Sequence, residues 1–238
     1  MITLYGMGSP NVVKVFLALE ETELPYETMP IDVFGGDQFS AAFKRLNPNA
    51  KVPVIVDDDG PGQRPITLFE SGAILIYLAE KTGRFLATAG SSRYAALQWM
   101  MVQMTGIGPM AGQYVHFLRF APKNRDFSYS LDRYRTQTRR FFATVDGRLA
   151  EAPYLAGDEY SIADIATFPW TRLLGPILGK EAEPDYPHLM AWNAKIASRP
   201  AAIRALAAME RVRAGLTTLD KAAPEMLDKV FGRGAFTL

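Results

Sequence analysis

Apolar residues follow one pattern in the early part of this chain and a different one in the rest, and this change limits the folds available to it. Up to residue 86, short strand-like runs alternate with helical patterns. The strand-like runs lie at 2–5, 26–33, 52–56 and 66–69, and the helical patterns begin at 11, 39 and 72. The order β-α-β-α-β-β-α predicts a small mixed sheet with helices on both faces, in which the first two strands are parallel. This is a thioredoxin-type arrangement.

Strand patterns nearly vanish beyond a segment rich in Gly, Ala and Ser at 83–92. Helical patterns follow at about 93–118, 127–150, 161–178 and 186–197, with shorter ones near 200–210 and 222–230. The sequence therefore predicts an α/β domain at 1–86 and an all-α domain at 93–238, the latter ending in a C-terminal extension.

Composition excludes several classes of protein. Lys and Arg number 26 against 25 Asp and Glu, so the chain lacks the basic surface that nucleic acids or anionic membranes require. Cysteine is absent, which excludes disulfide scaffolds, a cysteine nucleophile and zinc sites built on thiolates. With only two histidines, a three-histidine metal site cannot form within one chain, and no metal is expected.

No charged residue occurs between 94 and 118, a stretch long enough to cross a bilayer. It contains Gln98, Gln103, Gln113 and Pro109, so we interpret it as a core or subunit-interface helix with a break. The N-terminus lacks the pattern of a secretory signal. We therefore expect a soluble cytoplasmic protein that binds neither membranes nor nucleic acid.

Ser9, Pro10 and Asn11 form the turn in which the first strand passes into the first helix. The helix N-terminus carries partial positive charge, and the Ser9 hydroxyl and Asn11 amide can each donate to a sulfur anion. The turn therefore has the chemistry to stabilise a thiolate that this chain does not possess. The alternative is that both residues only cap the helix.

Two further segments are expected at the same edge of the sheet. Lys51, Val52 and Pro53 open a strand, and a cis Val52–Pro53 bond would expose the Val52 backbone to an extended peptide, with Lys51 near a carboxylate. The alternative is an ordinary proline at a strand start. Glu70 and Ser71 begin a helix and match the ammonium and carboxylate of an α-amino acid. Here the alternative is a helix cap beside a solvated glutamate.

Ser161 and Asp164 have the spacing of a capping box at the start of a helical pattern. A catalytic carboxylate is the alternative for Asp164. The apolar residues that follow favour a structural role in starting a buried helix.

Together these segments resemble the glutathione S-transferase superfamily over nearly the whole chain to about residue 210. The resemblance rests on a V-P pair, an E-S-G-A-I helix start and an S-I-A-D-I box. Within that superfamily, the sequence resembles the bacterial nu class and a related fungal branch more specifically. The motifs that carry the narrower likeness are Ser9-Pro-Asn11, Gly36-Asp-Gln38-Phe, Asn47-Pro-Asn-Ala-Lys-Val-Pro53, Phe69-Glu-Ser-Gly-Ala73 and Gly106-Ile-Gly-Pro-Met-Ala-Gly-Gln113.

The resemblance implies roles for individual residues. Asn11 and Ser9 would face the glutathione sulfur as the catalytic pair, and the backbone of Val52, before Pro53, would pair with the cysteinyl unit. The remaining expected ligands of glutathione are Glu70 and Ser71 for the γ-glutamyl head, Lys51 and Gln38 for the glycyl carboxylate, and Arg133 for a second glutathione.

The same resemblance implies a glutathione-dependent disulfide-bond oxidoreductase that uses two glutathione molecules or one glutathione disulfide and acts as a homodimer. The alternatives are conjugation of glutathione to electrophiles and a non-enzymatic glutathione-fold binding or regulatory protein. For the dimer, we expect an apolar surface from 94–118 and from Phe141 and Phe142. The sequence leaves the physiological substrate open.

Overall fold

The computed structural model describes residues 1–234, and these form two compact units. One consists of Met1–Tyr77 together with the segment from Arg204 onward, and the other of Leu78–Ile203. The domain limits 1–86 and 93–238 stay a prediction. By compactness, however, the segment after Arg204 belongs with the first unit, and residues 235–238 lie outside the described residues.

A four-stranded mixed sheet forms the centre of the first unit, as predicted. Its strands are β1 (Ile2–Gly6), β2 (Tyr26–Pro30), β3 (Val54–Asp57) and β4 (Ile66–Phe69). In space they lie in the order β2-β1-β3-β4. The strands β1 and β2 are parallel, whereas β3 is antiparallel to both β1 and β4.

The helices of the first unit match the predicted order, with one difference. They are α1 (Pro10–Thr22), α2 (Ala41–Leu46) and α3 (Ser71–Thr82), the last of which continues into the second unit. The pattern at 39–46 is interrupted, because Ser40 is extended and caps α2 by accepting a hydrogen bond from the Phe43 amide at 3.2 Å. A 3-10 turn at Asp37–Phe39 precedes it.

The second unit is all helical, as predicted. Its helices are α4 (Gly90–Val102), α5 (Gly108–Val115), α6 (Ser128–Glu151), α7 (Ile162–Thr171), α8 (Leu174–Leu178), α9 (Pro187–Ala197) and α10 (Pro200–Arg213), of which α10 continues into the first unit. The single helix expected at 161–178 divides, because Pro176 has no N–H to donate to the carbonyl of Arg172.

The uncharged stretch 94–118 runs through α4, a π-helical turn at Gln103–Ile107, and α5. The expected break is therefore a π turn rather than an interruption of the helix. Phe142 is fully buried, so the expectation that it contributes to an exposed apolar surface is wrong. The reason is that α6 turns this residue towards Tyr186, with ring centroids 6.2 Å apart. No helix among residues 1–234 combines the length and the apolar character needed to cross a membrane.

A segment for which the sequence carries no motif packs on the first unit. The Thr217 hydroxyl donates to Asp32 Oδ2 at 2.6 Å, and the Thr217 amide donates to the same oxygen at 3.2 Å. A last helix, α11 (Pro224–Phe231), follows. Its Phe231 ring lies 6.2 Å from that of Phe34, and Lys229 lies 4.2 Å from the ring of Phe39. This C-terminal segment therefore covers the loop between β2 and α2.

Candidate functional site

The strand register brings the three predicted segments to one edge of the sheet. Tyr5 on β1 pairs with Val54 on β3, and Val54 pairs in turn with Phe69 on β4. The Ser9 turn follows the end of β1, Pro53 directly precedes Val54, and Glu70 directly follows Phe69. Because these segments continue from one row of paired residues, they emerge at the same edge.

At the first segment, Ser9 occupies the N-cap position of α1 in extended conformation, but its side chain makes no capping hydrogen bond. Its carbonyl accepts from the amides of Val12 and Val13, both at 3.0 Å. The alternative that the Ser9 hydroxyl serves as a cap is therefore wrong. Ser9 and Asn11 are both partly exposed, and the first turn of α1 contains no acidic residue that would repel an anion.

The turn depends on a close approach between Gly6 and α1. A Cβ atom on Gly6 would lie 2.6 Å from Cγ1 of Val12, which is too close for any side chain. Only glycine lets β1 pass so near the helix that follows it. The N-terminus of α1 is thus held against the end of the strand.

At the second segment, the Val52–Pro53 bond is cis, which is one of the two possibilities that the sequence left open. Pro53 is buried and Val52 packs against the apolar cluster that contains Val54, whereas Lys51 is exposed. Buried Asn47 shapes the approach to this segment. Its Nδ2 donates to the Lys51 carbonyl at 2.7 Å.

Asn47 also accepts a hydrogen bond from the Asn49 amide at 2.9 Å, which closes an Asx turn. Sequence reasoning missed its positioning role. The signal was present in the sequence, since Asn47-Pro48-Asn49 follows a helix and precedes the strand.

At the third segment, Glu70 has a φ of 69°, in the left-handed region that a glutamate rarely adopts. Its carbonyl accepts from the Ile74 amide at 3.0 Å and so begins α3. Such a backbone costs on the order of 1–3 kcal/mol and tends to persist at functional sites. The Glu70 side chain is exposed, whereas Ser71 is only 4% exposed.

Lys14 lies beneath this segment and is another residue that sequence reasoning missed. Although its side chain ends in an amine, Lys14 is only 1% exposed. Its Nζ lies 3.3 Å from Ser71 Oγ and donates to it. Burial lowers the pKa of Lys14 from its ordinary value to about 7, and the negative charge of Glu70 opposes this shift.

A signal for the burial of Lys14 was also present in the sequence. The residues around it, from Val12 to Leu19, are otherwise all apolar, and a helix that is apolar all round is a buried helix.

Two of the predicted glutathione ligands, Gln38 and Arg133, lie outside the three segments described above. Gln38 is only 2% exposed, and its Nε2 donates to the Val33 carbonyl at 3.0 Å, while its buried Oε1 has no partner among the described residues. Arg133 is exposed on α6, in the second compact unit. Both roles towards glutathione stay predictions. Among residues 1–234, no group of histidine and acidic side chains could hold a metal ion.

The sheet edge gathers the groups that a small thiol peptide needs. The start of α1 offers hydroxyl and amide donors beside the positive end of a helix, which suits a sulfur anion. The Val52 segment offers extended backbone, and Glu70 with Ser71 offers partners for an ammonium and a carboxylate. A thioredoxin-type unit with such an edge, followed along the chain by an all-helical unit, defines the class of glutathione-using transferases.

The comparisons agree with this class. The sequence matches the glutathione S-transferase N-terminal domain over residues 8–81 and the glutathione S-transferase C-terminal domain over residues 108–200. It is 44% identical, over 87% of this chain and 94% of the relative, to the disulfide-bond oxidoreductase YfcG of Escherichia coli. The chain therefore belongs to the glutathione S-transferase family.

Two solved structures are similar in fold. A glutathione transferase family member from Pseudomonas fluorescens, with two glutathione bound, has a TM-score of 0.83 and 43% identity, covering 86% of this chain and 92% of that one. A glutathione transferase from Pseudomonas putida, with one glutathione disulfide bound per subunit, has a TM-score of 0.81 and 41% identity, covering 86% of this chain and 90% of that one.

Proposed function

We propose that this protein is a glutathione-dependent disulfide-bond oxidoreductase of the nu-class type. The observation that carries the proposal is the pairing of Tyr5 with Val54 and of Val54 with Phe69. Because these residues lie at neighbouring strand ends, the Ser9, Val52 and Glu70 segments that continue from them lie at one edge of the sheet. The name of the relative from Escherichia coli and the glutathione species in the two Pseudomonas structures support it. The chain itself has no cysteine, so every sulfur atom that reacts must arrive with a ligand.

The reaction is thiol–disulfide exchange without a covalent enzyme intermediate. The start of α1, with Ser9 and Asn11, favours the anion of a bound glutathione, which lowers the pKa of its thiol. That thiolate attacks one sulfur of a disulfide, forms a mixed disulfide and releases the other sulfur as a thiolate. A second glutathione thiolate then attacks the glutathione sulfur of the mixed disulfide. The products are glutathione disulfide and two thiols, so two electrons pass from two glutathione molecules to the substrate.

The binding roles follow from the chemistry of each segment. Glu70 and Ser71 hold the ammonium and carboxylate of the γ-glutamyl head, and the Val52 backbone pairs with the cysteinyl unit. Lys51 and Gln38 bind the glycyl carboxylate. Arg133 serves the second glutathione through charge-assisted hydrogen bonds.

A homodimer is part of the proposal. Tyr94 is 71% exposed and Met101 is 45% exposed. They lie seven residues apart on α4, which places them on the same side of the helix. Two exposed large apolar side chains on one helix face suit a subunit contact. Sedimentation equilibrium should show a dimer, and a monomer over a wide concentration range would contradict this part.

The proposal is tested by glutathione-dependent reduction of 2-hydroxyethyl disulfide, coupled to glutathione reductase. We expect turnover by the wild-type protein, a large loss of kcat in Asn11→Ala and a smaller loss in Ser9→Ala. Thr67→Val, which removes an exposed hydroxyl within β4, is the matched control and should keep full activity. Unimpaired rates in both site variants would refute the assigned roles.

A parallel assay with 1-chloro-2,4-dinitrobenzene separates exchange from conjugation. Faster conjugation than disulfide reduction would favour a conjugating transferase. Binding of glutathione without either reaction would favour a binding or regulatory protein.

A further inference from the structure

Lys14 is a buried cation whose place in the molecule the proposed reaction does not explain. An isolated ammonium buried among apolar groups is costly, and proteins rarely bury one without a partner. Here the side chain passes inside the first unit and ends 3.3 Å from Ser71 Oγ, at the start of α3. Lys14 therefore reaches the side of Ser71 that belongs to the protein interior.

The groups around Lys14 make its charge sensitive to what binds at this edge. On α1, the residues one turn away are Pro10, Asn11, Leu17 and Ala18, none of which ionises. Glu70 is the carboxylate whose negative charge acts on Lys14. Its side chain is exposed, so a ligand ammonium can pair with it.

The acidic groups of the strands are engaged with other partners. Glu27 of β2 accepts from the Thr3 hydroxyl at 2.9 Å. Asp57 of β3 accepts from the Tyr77 hydroxyl at 2.6 Å. Neither contributes to the electrostatic environment of Lys14 as Glu70 does.

We propose that Lys14 is a positioning residue for the γ-glutamyl head of glutathione. Its ammonium donates to the Ser71 hydroxyl from the protein interior, orients that hydroxyl and balances the charge of the ligand carboxylate. Glutathione binding is therefore coupled to protonation of Lys14. The inference rests on the proposed function, because it assumes that Ser71 meets a glutathione carboxylate. Lys14 itself is buried and acts through Ser71.

The coupling has a defined direction. Burial lowers the pKa of Lys14 to about 7, so near neutral pH the amine is roughly half protonated before a ligand binds. A carboxylate at Ser71 favours the ammonium form and raises this pKa, while a ligand ammonium that pairs with Glu70 partly opposes it. Binding therefore takes up a proton, and affinity falls as the pH rises through and above 7.

The probe for the test is S-methylglutathione, which keeps the head group and carboxylates but has no thiol to titrate. Its Kd is measured calorimetrically from pH 6 to pH 8.5 with wild-type protein, Lys14→Met and Lys44→Met. Lys44 is an exposed lysine on α2 of the same unit and serves as the matched control.

Wild type and Lys44→Met are expected to bind roughly tenfold more weakly at pH 8.5 than at pH 6, as for a pKa shift of about one unit. Lys14→Met should bind weakly with a flat profile. If Lys14→Met shows the affinity and the slope of wild type, the inference is overturned and the proposed function stands. If wild type does not bind S-methylglutathione at all, the proposed function is itself overturned.

A second measurement needs no variant. Calorimetric titrations of wild type at pH 7, in buffers of different ionisation enthalpy, give the number of protons taken up. We expect about half a proton per site, since the amine is about half protonated beforehand. An uptake of zero would overturn the inference even if Lys14→Met did not fold.

Discussion

The replacement of Asp164 by alanine should destabilise the second unit strongly. Asp164 is fully buried, and its carboxylate accepts four hydrogen bonds. The donors are the Leu155 amide at 3.0 Å, the Ser161 amide at 3.0 Å, the Ser161 hydroxyl at 3.1 Å and Trp192 Nε1 at 3.3 Å. Residues Leu155, Ser161 and Trp192 are themselves at most 5% exposed, so alanine leaves their donors buried without an acceptor.

The magnitude follows from these contacts. A buried donor left without a partner costs about 1–3 kcal/mol, and loss of a helix cap costs about 1 kcal/mol. Burying the carboxylate is itself unfavourable, since burial raises the pKa of Asp164 to about 6, and alanine relieves that cost. The net loss in the free energy of unfolding should be about 3–5 kcal/mol at pH 7.

The raised pKa of Asp164 also predicts the sign of a pH effect. Between about pH 4 and pH 6 the folded protein keeps a proton on this carboxyl that the unfolded chain has released. The stabilisation that the folded protein gains from this bound proton is therefore complete below pH 4 and is lost as the pH rises through 6. Asp164→Asn cannot titrate, so the difference in stability between wild type and this variant should change across that window.

The assay is urea denaturation followed by tryptophan fluorescence and far-ultraviolet circular dichroism. Asp158→Ala, which removes an exposed aspartate of the same unit, is the control and should change the free energy of unfolding by less than about 0.5 kcal/mol. A loss below about 1 kcal/mol in Asp164→Ala would refute the reasoning, because the four donors would then have found other partners.

Two further predictions concern the first unit. Asn47→Ala removes the bonds to the Lys51 carbonyl and from the Asn49 amide, so glutathione should bind several-fold more weakly and Tm should fall by a few degrees, about 1–2 kcal/mol. Unchanged affinity would show that Val52 holds its place without these bonds. Thr217→Val removes the hydroxyl bond to Asp32, worth about 1 kcal/mol, and should hasten amide exchange after residue 214, whereas unaltered exchange would mean that α11 alone holds the C-terminal segment.

Much of the fold was accessible from local patterns. The four strands, the order of the helices and the capping box at Ser161 each depend on residues close together in the sequence, and each is confirmed. The cis Val52–Pro53 bond was one of two possibilities that the sequence left open, and the structure decided between them. The convergence of the three segments also followed, because strand order and direction place their ends together.

The misses have a common cause. Phe142 was expected at the surface yet is buried, and the burial of Lys14 was not predicted. Helical periodicity identifies a side of a helix but not whether other elements cover it. Likewise, nothing near Thr217 in the sequence indicates Asp32, which lies 185 residues away along the chain.

The sequence by itself determined the chemistry this protein has available and the order of its elements. The reactive thiol has to be a ligand's because the chain has no cysteine, and periodicity and capping act over a few residues. Only the tertiary structure decided that Lys14 lies beneath Ser71, that Gln38 faces inward and that the C-terminal segment covers the β2–α2 loop. These depend on the burial of surfaces from distant parts of the chain, a free energy that no local stretch of residues contains.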